Sequence, residues 1–310
     1  MPRRASDSEP IPAPGADAAA HSEAVVGRVI DEIRRARGPI PFRRYMELVL
    51  HEPGLGYYAA AGGEALAARG DFVTAPELTP IFGRCLARQC AEVLAVTGGD
   101  VLEPGGGSGA LAAELLDALD ALDALPARYR ILEPSALLQQ RQREHIGRRV
   151  PHLLDRCVWE TGWPAAFTGV VVANEVLDAM PVEGFRMGAS GPEQRCTDHD
   201  PVTGLHDAWR AAPPALRDAV AHIEADLGRR LPSGYCSELN PALGAWFGAL
   251  GARLQRGAVL IVDYGYARAE YYLPERSMGT LVCTRAHRAH ADPYDWPGLT
   301  DITAFVDFTA

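Results

Sequence analysis

No stretch of the 310-residue sequence approaches eighteen consecutive apolar residues, so nothing in it reads as a membrane-spanning helix. None of the six cysteines stands in a CxxC pair. Cys85, Cys90, Cys157, Cys196, Cys236 and Cys283 are scattered, which argues against a zinc site or a disulfide framework and fits a reduced, cytoplasmic protein. Basic charge is in deficit: 30 Lys and Arg against 40 Asp and Glu leave a formal net charge of −10. Nucleic-acid binding needs clustered cations, so this balance points instead to a basic protein partner or a cationic substrate. The first 20 residues lack the apolar run of a secretory signal and, rich in Pro, Ala and acid, read as a disordered tail. No internal repeat is present.

What the chain does have is apolar content, 47% of its residues, enough for a large core. Residues 21–99 read as an N-terminal cap. Ser22 is placed to cap a helix carrying Val25, Val26, Val29, Ile30 and Ile33, ended by Gly38-Pro39. A second helix carries Phe42, Tyr45, Met46 and Val49 and breaks at Pro53-Gly54; a third begins near Pro80. From residue 100, strand and helix alternate. Strands are expected at "DVLEP", "YRILEP", "RCVWE", "GVVVANE" and "GAVLIVDYGY", with helices at "GALAAELLDALDAL" and "SALLQQRQREHIG". That rhythm predicts an α/β, Rossmann-like fold with an open parallel sheet, its core at 100–180 and 257–310. Residues 181–256 interrupt it as a substrate-side insertion with helices in "PPALRDAVAHIEADLGRRL" and "NPALGAWFGALGARLQRG".

The motif with most chemical content is "VLEPGGGSGA", a strand running through glycines into a helix. Such a turn brings bare backbone and the positive end of a helix up to a nucleotide. Two registers fit. Gly105, Gly107 and Gly109 read as E-x-G-x-G-x-G, the pattern of S-adenosyl-L-methionine (SAM) methyltransferases; Gly105, Gly107 and Ala110 read as G-x-G-x-x-A, which suits NAD. Glu103 favours SAM, because a carboxylate repels a pyrophosphate and attracts a sulfonium and an ammonium. Glu133, at the end of the second strand, suits the ribose hydroxyls of either ligand. After the next long strand, "VVVANEVLDAMPV" places Asn174, Glu175 and Asp178 at the carboxyl edge of the sheet. If the chain turns helical there, Glu175 and Asp178 share a face and grip a guanidinium with charge-assisted hydrogen bonds, while Asn174 meets the reacting end of the cofactor. No metal ligand set is evident.

These residues resemble the MidA family, relatives of the mitochondrial complex I assembly factor that methylates a protein arginine. The resemblance runs from Gly38 to Ala310 through "GPIPFRRYMELVLHEPGLGYY", "GDFVTAPELTPIFG", "VLEPGGGSGALA", "YRILEPSALLQQRQ", "VVVANEVLDAMPVEGF", "SELNP" and "VLIVDYGYARAEYYLPERSMGTLVCTRAHRAHADPY". It implies a class I methyltransferase fold, SAM as cofactor, and a partner protein with an accessible arginine, possible substrates including a respiratory complex subunit. By position, Gly105, Gly107 and Gly109 become the cofactor loop, Glu133 the ribose ligand, and Thr74 and Glu77 cover the methionyl end. Trp159 either borders adenine or packs in the core, and His287 and His290 either approach the acceptor or are structural. The family pattern has an apolar residue or glycine where Pro104 stands, which implies a shifted loop entrance. The family pattern also continues past "DITAFVDFTA", which implies an incomplete sheet edge in a truncated or short member. Two rival functions remain: a NAD-dependent oxidoreductase, and a non-catalytic SAM-binding assembly factor. Oligomeric state is not legible.

Overall fold

The computed structural model describes residues 11–59 and 75–310, so Thr74 lies outside the described residues. The chain divides into two compact units. One gathers 11–59, Cys196–Ala208 and Leu281–Ile302; the other gathers 75–195, Trp209–Thr280 and Thr303–Ala310.

The second unit holds the parallel sheet. Its strands are β1 (Asp100–Pro104), β2 (Tyr129–Leu132), β3 (Cys157–Glu160), β4 (Phe167–Asn174) and β5 (Leu254–Val262), in the spatial order 5-4-1-2-3. Each neighbouring pair is parallel. The order reverses between β1 and β4, and open α/β sheets bind ligands at the carboxyl ends of the strands beside such a reversal. Strand alternation turns Val101, Tyr129, Ile131, Val170 and Val172 toward the helices Pro80–Thr97 and Ala110–Ala121. Leu102 and Val171 face the other way, onto Leu250 and Trp246 of the Leu243–Gly251 helix. Coverage on both faces explains why β4 reads as a near-continuous apolar run. β5, at one edge of the sheet, is only half-buried along its second half.

Glycines let these strands approach near their amino ends. A Cβ on Gly169 would lie 2.0 Å from the Asp100 carbonyl oxygen, and one on Gly257 would lie 1.8 Å from that of Gly169. Bare backbone is therefore a condition for β1, β4 and β5 to pair there.

Residues 181–256 carry both expected helices, at Pro214–Leu227 and Leu243–Gly251, and also strands that the sequence reading does not contain. Glu183–Gly188 pairs antiparallel with Gly191–Asp200 and with Cys236–Leu239. The buried positions of Gly191–Asp200 are Gln194, Cys196 and Thr197, so no apolar alternation announces it. That strand leads to Gly204–Ala211, and the Cys196–Ala208 portion of the pair belongs to the first unit.

In the first unit, the opening helix runs from Ala16 to Ala36, starting well before Ser22. This corrects two expectations. Ser22 is not the cap: it is buried mid-helix, and its hydroxyl donates to the Pro297 carbonyl at 2.9 Å. Residues 16–20 are helix rather than tail, as their alanine content favours. The second helix, Phe42–His51, buries Phe42, Tyr45, Met46 and Val49 as their spacing predicts.

Candidate functional site

β1 ends at Pro104, and Gly105–Gly109 delivers the chain into the Ala110–Ala121 helix. Gly105, Gly107 and Gly109 have φ of +67°, +49° and +83°, a conformation that side chains strain. Pro104 has no N–H to give, but the Gly105 N–H donates to the Leu132 carbonyl at 3.0 Å, so β1 stays paired with β2 to its end. The loop has a packed side and an open side. A Cβ on Gly106 would lie 2.7 Å from Ile131 Cγ2, whereas one on Gly107 would meet nothing within 4 Å. An open glycine turn beside unpaired helix N–H groups is a cradle for a polar ligand.

Three carboxylates stand around this turn. Glu77, in the short helix Ala75–Leu78, accepts the Ser108 hydroxyl at 2.9 Å. Glu133 follows β2 and is buried. Its Oε1 accepts the Ser135 N–H at 2.9 Å, and its Oε2 accepts Gln142 Nε2 at 3.3 Å. Burial pushes the Glu133 pKa up, against the pull of those two bonds. A carboxylate offers about four acceptor positions, so lone pairs remain for two ribose hydroxyls. Glu103 sits deeper, 3% exposed, accepting the Tyr129 hydroxyl at 2.7 Å. Desolvation lifts its pKa to about 7, outweighing that hydrogen bond.

Gln142 was not legible as a site residue. It stands wholly buried on the Ala136–Arg149 helix, where its Nε2 also donates to the Gly107 carbonyl at 3.1 Å. Its Oε1 accepts the Trp159 indole N–H at 2.9 Å. Trp159, half-buried at β3, carries the Arg143 guanidinium 4.2 Å over its ring.

At the carboxyl end of β4, Asn174 Nδ2 lies 3.5 Å from Glu175 Oε1, and Asn174 Oδ1 is buried with no protein partner among the described residues. The expected helix does not form: residues 175–180 are bends and turns, which corrects the shared-face reading of Glu175 and Asp178. The reason is visible in the backbone. Glu175 takes a φ of +50° and donates its N–H to the Val262 carbonyl at 2.9 Å. Asp263 Oδ2 then accepts from Val176, Leu177 and Asp178 at 3.2, 2.9 and 3.4 Å, standing in for helical carbonyls. Asp178 is buried, while Glu175 is half-buried. The two remain electrostatic neighbours. Desolvation first, and then the negative charges of Glu175, Asp178 and Asp263, push the Tyr264 hydroxyl pKa up. The left-handed Glu175 and the Asp263 anchor are the features that helical periodicity could not supply.

His287 and His290 belong to the other unit. They lie on the Val282–Arg285 and Arg288–His290 hairpin, with His287 in its turn at φ +60°.

The open turn, the Glu133 carboxylate and the orphaned Asn174 oxygen fit a nucleoside ligand with a cationic amino-acid end. A family model of S-adenosyl-L-methionine-dependent methyltransferases matches residues 85–310. The chain is 29% identical over 311 residues to the protein arginine methyltransferase NDUFAF7 of Danio rerio, covering 88% of this chain and 68% of that protein. Its counterpart in Xenopus tropicalis is 29% identical over 317 residues, covering 93% and 70%. A superfamily member from Burkholderia thailandensis, crystallised bound to S-adenosyl-homocysteine, is 43% identical with a TM-score of 0.90, covering 97% of this chain and 77% of that one.

Proposed function

The chain belongs to this family of SAM-dependent methyltransferases, and from that premise we propose that it is a protein arginine N-methyltransferase. Family membership selects the E-x-G-x-G-x-G register of the glycine loop over the NAD register. When bound, SAM supplies an electrophilic methyl on a sulfonium sulfur. Gly105, Gly107 and Gly109 would cradle it, Glu133 would take the ribose hydroxyls, and Glu77 would close the loop through Ser108.

The observation that carries the arginine reading is the turn after β4. Asp263 holds its three N–H groups, and Glu175, at φ +50°, places its Oε1 3.5 Å from Asn174 Nδ2 at the carboxyl edge. Glu175 would accept N–H bonds from a guanidinium there and fix the nitrogen that attacks the methyl. Asp178, buried behind the turn, would deepen the negative potential. Methyl transfer to a guanidinium nitrogen would require that nitrogen to give up a proton, and Glu175 would be the base that takes it. The names of the curated relatives support the same substrate class.

The test is incubation of the full chain with methyl-labelled SAM and a cell lysate that includes membrane fractions carrying respiratory complexes. The expected outcome is a labelled protein whose hydrolysate contains methylarginine, lost in Glu175→Gln. Label recovered only in lysine or in small molecules would overturn the arginine assignment.

A further inference from the structure

We propose that Gln142 is the positioning residue that fixes the adenosyl half of the cofactor site, joining the glycine loop, the ribose carboxylate and Trp159 through one side-chain amide. The inference rests on the SAM reading above and adds to it a residue argued to act through Gly107, Glu133 and Trp159.

The geometry is specific. The amide spends both N–H donors, one on the Gly107 carbonyl at 3.1 Å and one on Glu133 Oε2 at 3.3 Å, and its oxygen accepts the Trp159 N–H at 2.9 Å. The side chain is 0% exposed, so each bond is made away from water, where an unmet polar group is costly. Its position is enforced by close packing: a Cβ on Gly109 would lie 3.1 Å from Gln142 Cα, and one on Gly106 would lie 3.3 Å from Nε2. Only a glutamine supplies this set at this reach. Glutamate would set a second carboxylate against Glu133, and an apolar residue would leave the Gly107 carbonyl and the Trp159 indole unpaired.

Donation to the Gly107 carbonyl ties the loop to the Ala136–Arg149 helix at the glycine whose Cβ position is open. Donation to Glu133 Oε2, opposite the Ser135 N–H on Oε1, holds the carboxylate by both oxygens and leaves its remaining lone pairs for the ribose hydroxyls. Both acts serve the nucleoside and neither serves the methionyl end. Outer groups that orient ligand-holding groups commonly change affinity by tenfold or more when removed.

The experiment is calorimetric titration of the full chain with S-adenosyl-homocysteine and, separately, with adenosine. Gln142→Met, close in volume, is expected to weaken S-adenosyl-homocysteine binding about tenfold or more and to weaken adenosine by a similar factor. Gln142→Glu supplies a reading that mere packing would not move. The new carboxyl faces Glu133, with Arg143 over Trp159 as the nearby cation, so like charge and burial hold its proton on as pH falls. Glu103, with its pKa of about 7, and Glu133 are present in both proteins, so the reading is the ratio of variant to wild-type affinity at each pH, and that ratio should recover toward one between pH 8 and pH 5.5. Gln142→Met binding within twofold of wild type, or a Gln142→Glu deficit that ignores pH, would overturn the proposal. Should Gln142→Met not fold, the pH profile of Gln142→Glu decides alone. Absence of S-adenosyl-homocysteine binding by wild type would instead strike the cofactor assignment beneath it.

Discussion

The Asp263 carboxylate accepts the Leu177 N–H at 2.9 Å, and through that bond the residue after β5 holds the turn after β4. Neighbouring N–H groups of Val176 and Asp178 share the same oxygen. Hydrogen bonds to a charged group contribute about 1.5–3 kcal/mol each. Asp263→Ala removes the acceptor and frees the turn that aims Glu175. The expected result is a fall of roughly a hundredfold in methyl transfer, with S-adenosyl-homocysteine affinity within about threefold of wild type. Label-transfer rates and calorimetry on the same preparations check this.

Glu175 at φ +50° stores strain on the order of 1 kcal/mol, because its Cβ crowds its own backbone. Glu175→Gly should release it. The variant is expected to melt at a higher temperature than Glu175→Gln while both lose transfer, a separation of stability from activity read directly by calorimetric melting.

Glu103 gives a pH signature of unusual sign. Its folded pKa of about 7 lies above the ordinary 4.5, so the folded chain keeps a proton that the unfolded chain has released. Stability from this group is fully present below about pH 4.5, declines as pH rises from there to about 7, and is flat beyond. Glu103→Gln can still accept the Tyr129 hydroxyl and carries no charge. It should be more stable than wild type at pH 8 by roughly 3 kcal/mol, with the difference vanishing toward pH 4. Denaturant unfolding across that range checks both the sign and the window.

The two sides of the glycine turn should respond differently to the same methyl group. Gly106→Ala drives a Cβ to 2.7 Å from Ile131 Cγ2, so the turn must shift away from β2. Gly107→Ala meets no atom within 4 Å and suffers only its positive φ, a cost on the order of 1 kcal/mol. Thermal melting should therefore show Gly106→Ala as the more damaging. Calorimetry should show Gly107→Ala weakening S-adenosyl-homocysteine through intrusion on the open face.

Much of this was readable from residues. The five parallel strands, their covering helices and the glycine turn follow from apolar runs and periodicity, because burial on both faces leaves a strong pattern. The position of Glu133 directly after β2 was readable. The hairpin strand Gly191–Asp200 was not, since its inward positions hold Gln194, Cys196 and Thr197. The helix expected after Asn174 failed because Asp263, 85 or more positions away, supplies the backbone acceptors that a helix would have supplied locally. Gln142 escaped for a similar reason: on a polar helix it looks like any exposed glutamine, and only the fold turns it inward.

The glycines that let β1, β4 and β5 meet lie at the end of the sheet away from the chemistry. At Gly169 and Gly257 even a single methyl group would fall inside a neighbouring carbonyl, at 2.0 and 1.8 Å. A saturation-mutagenesis map of this chain should therefore show two bands of intolerance. One would trace the carboxylates and the cofactor turn. The other would cross the sheet as a line of backbone clearance, scoring as severely as the first, and a survey ranking residues by sensitivity alone would mistake a seam of the scaffold for part of the site.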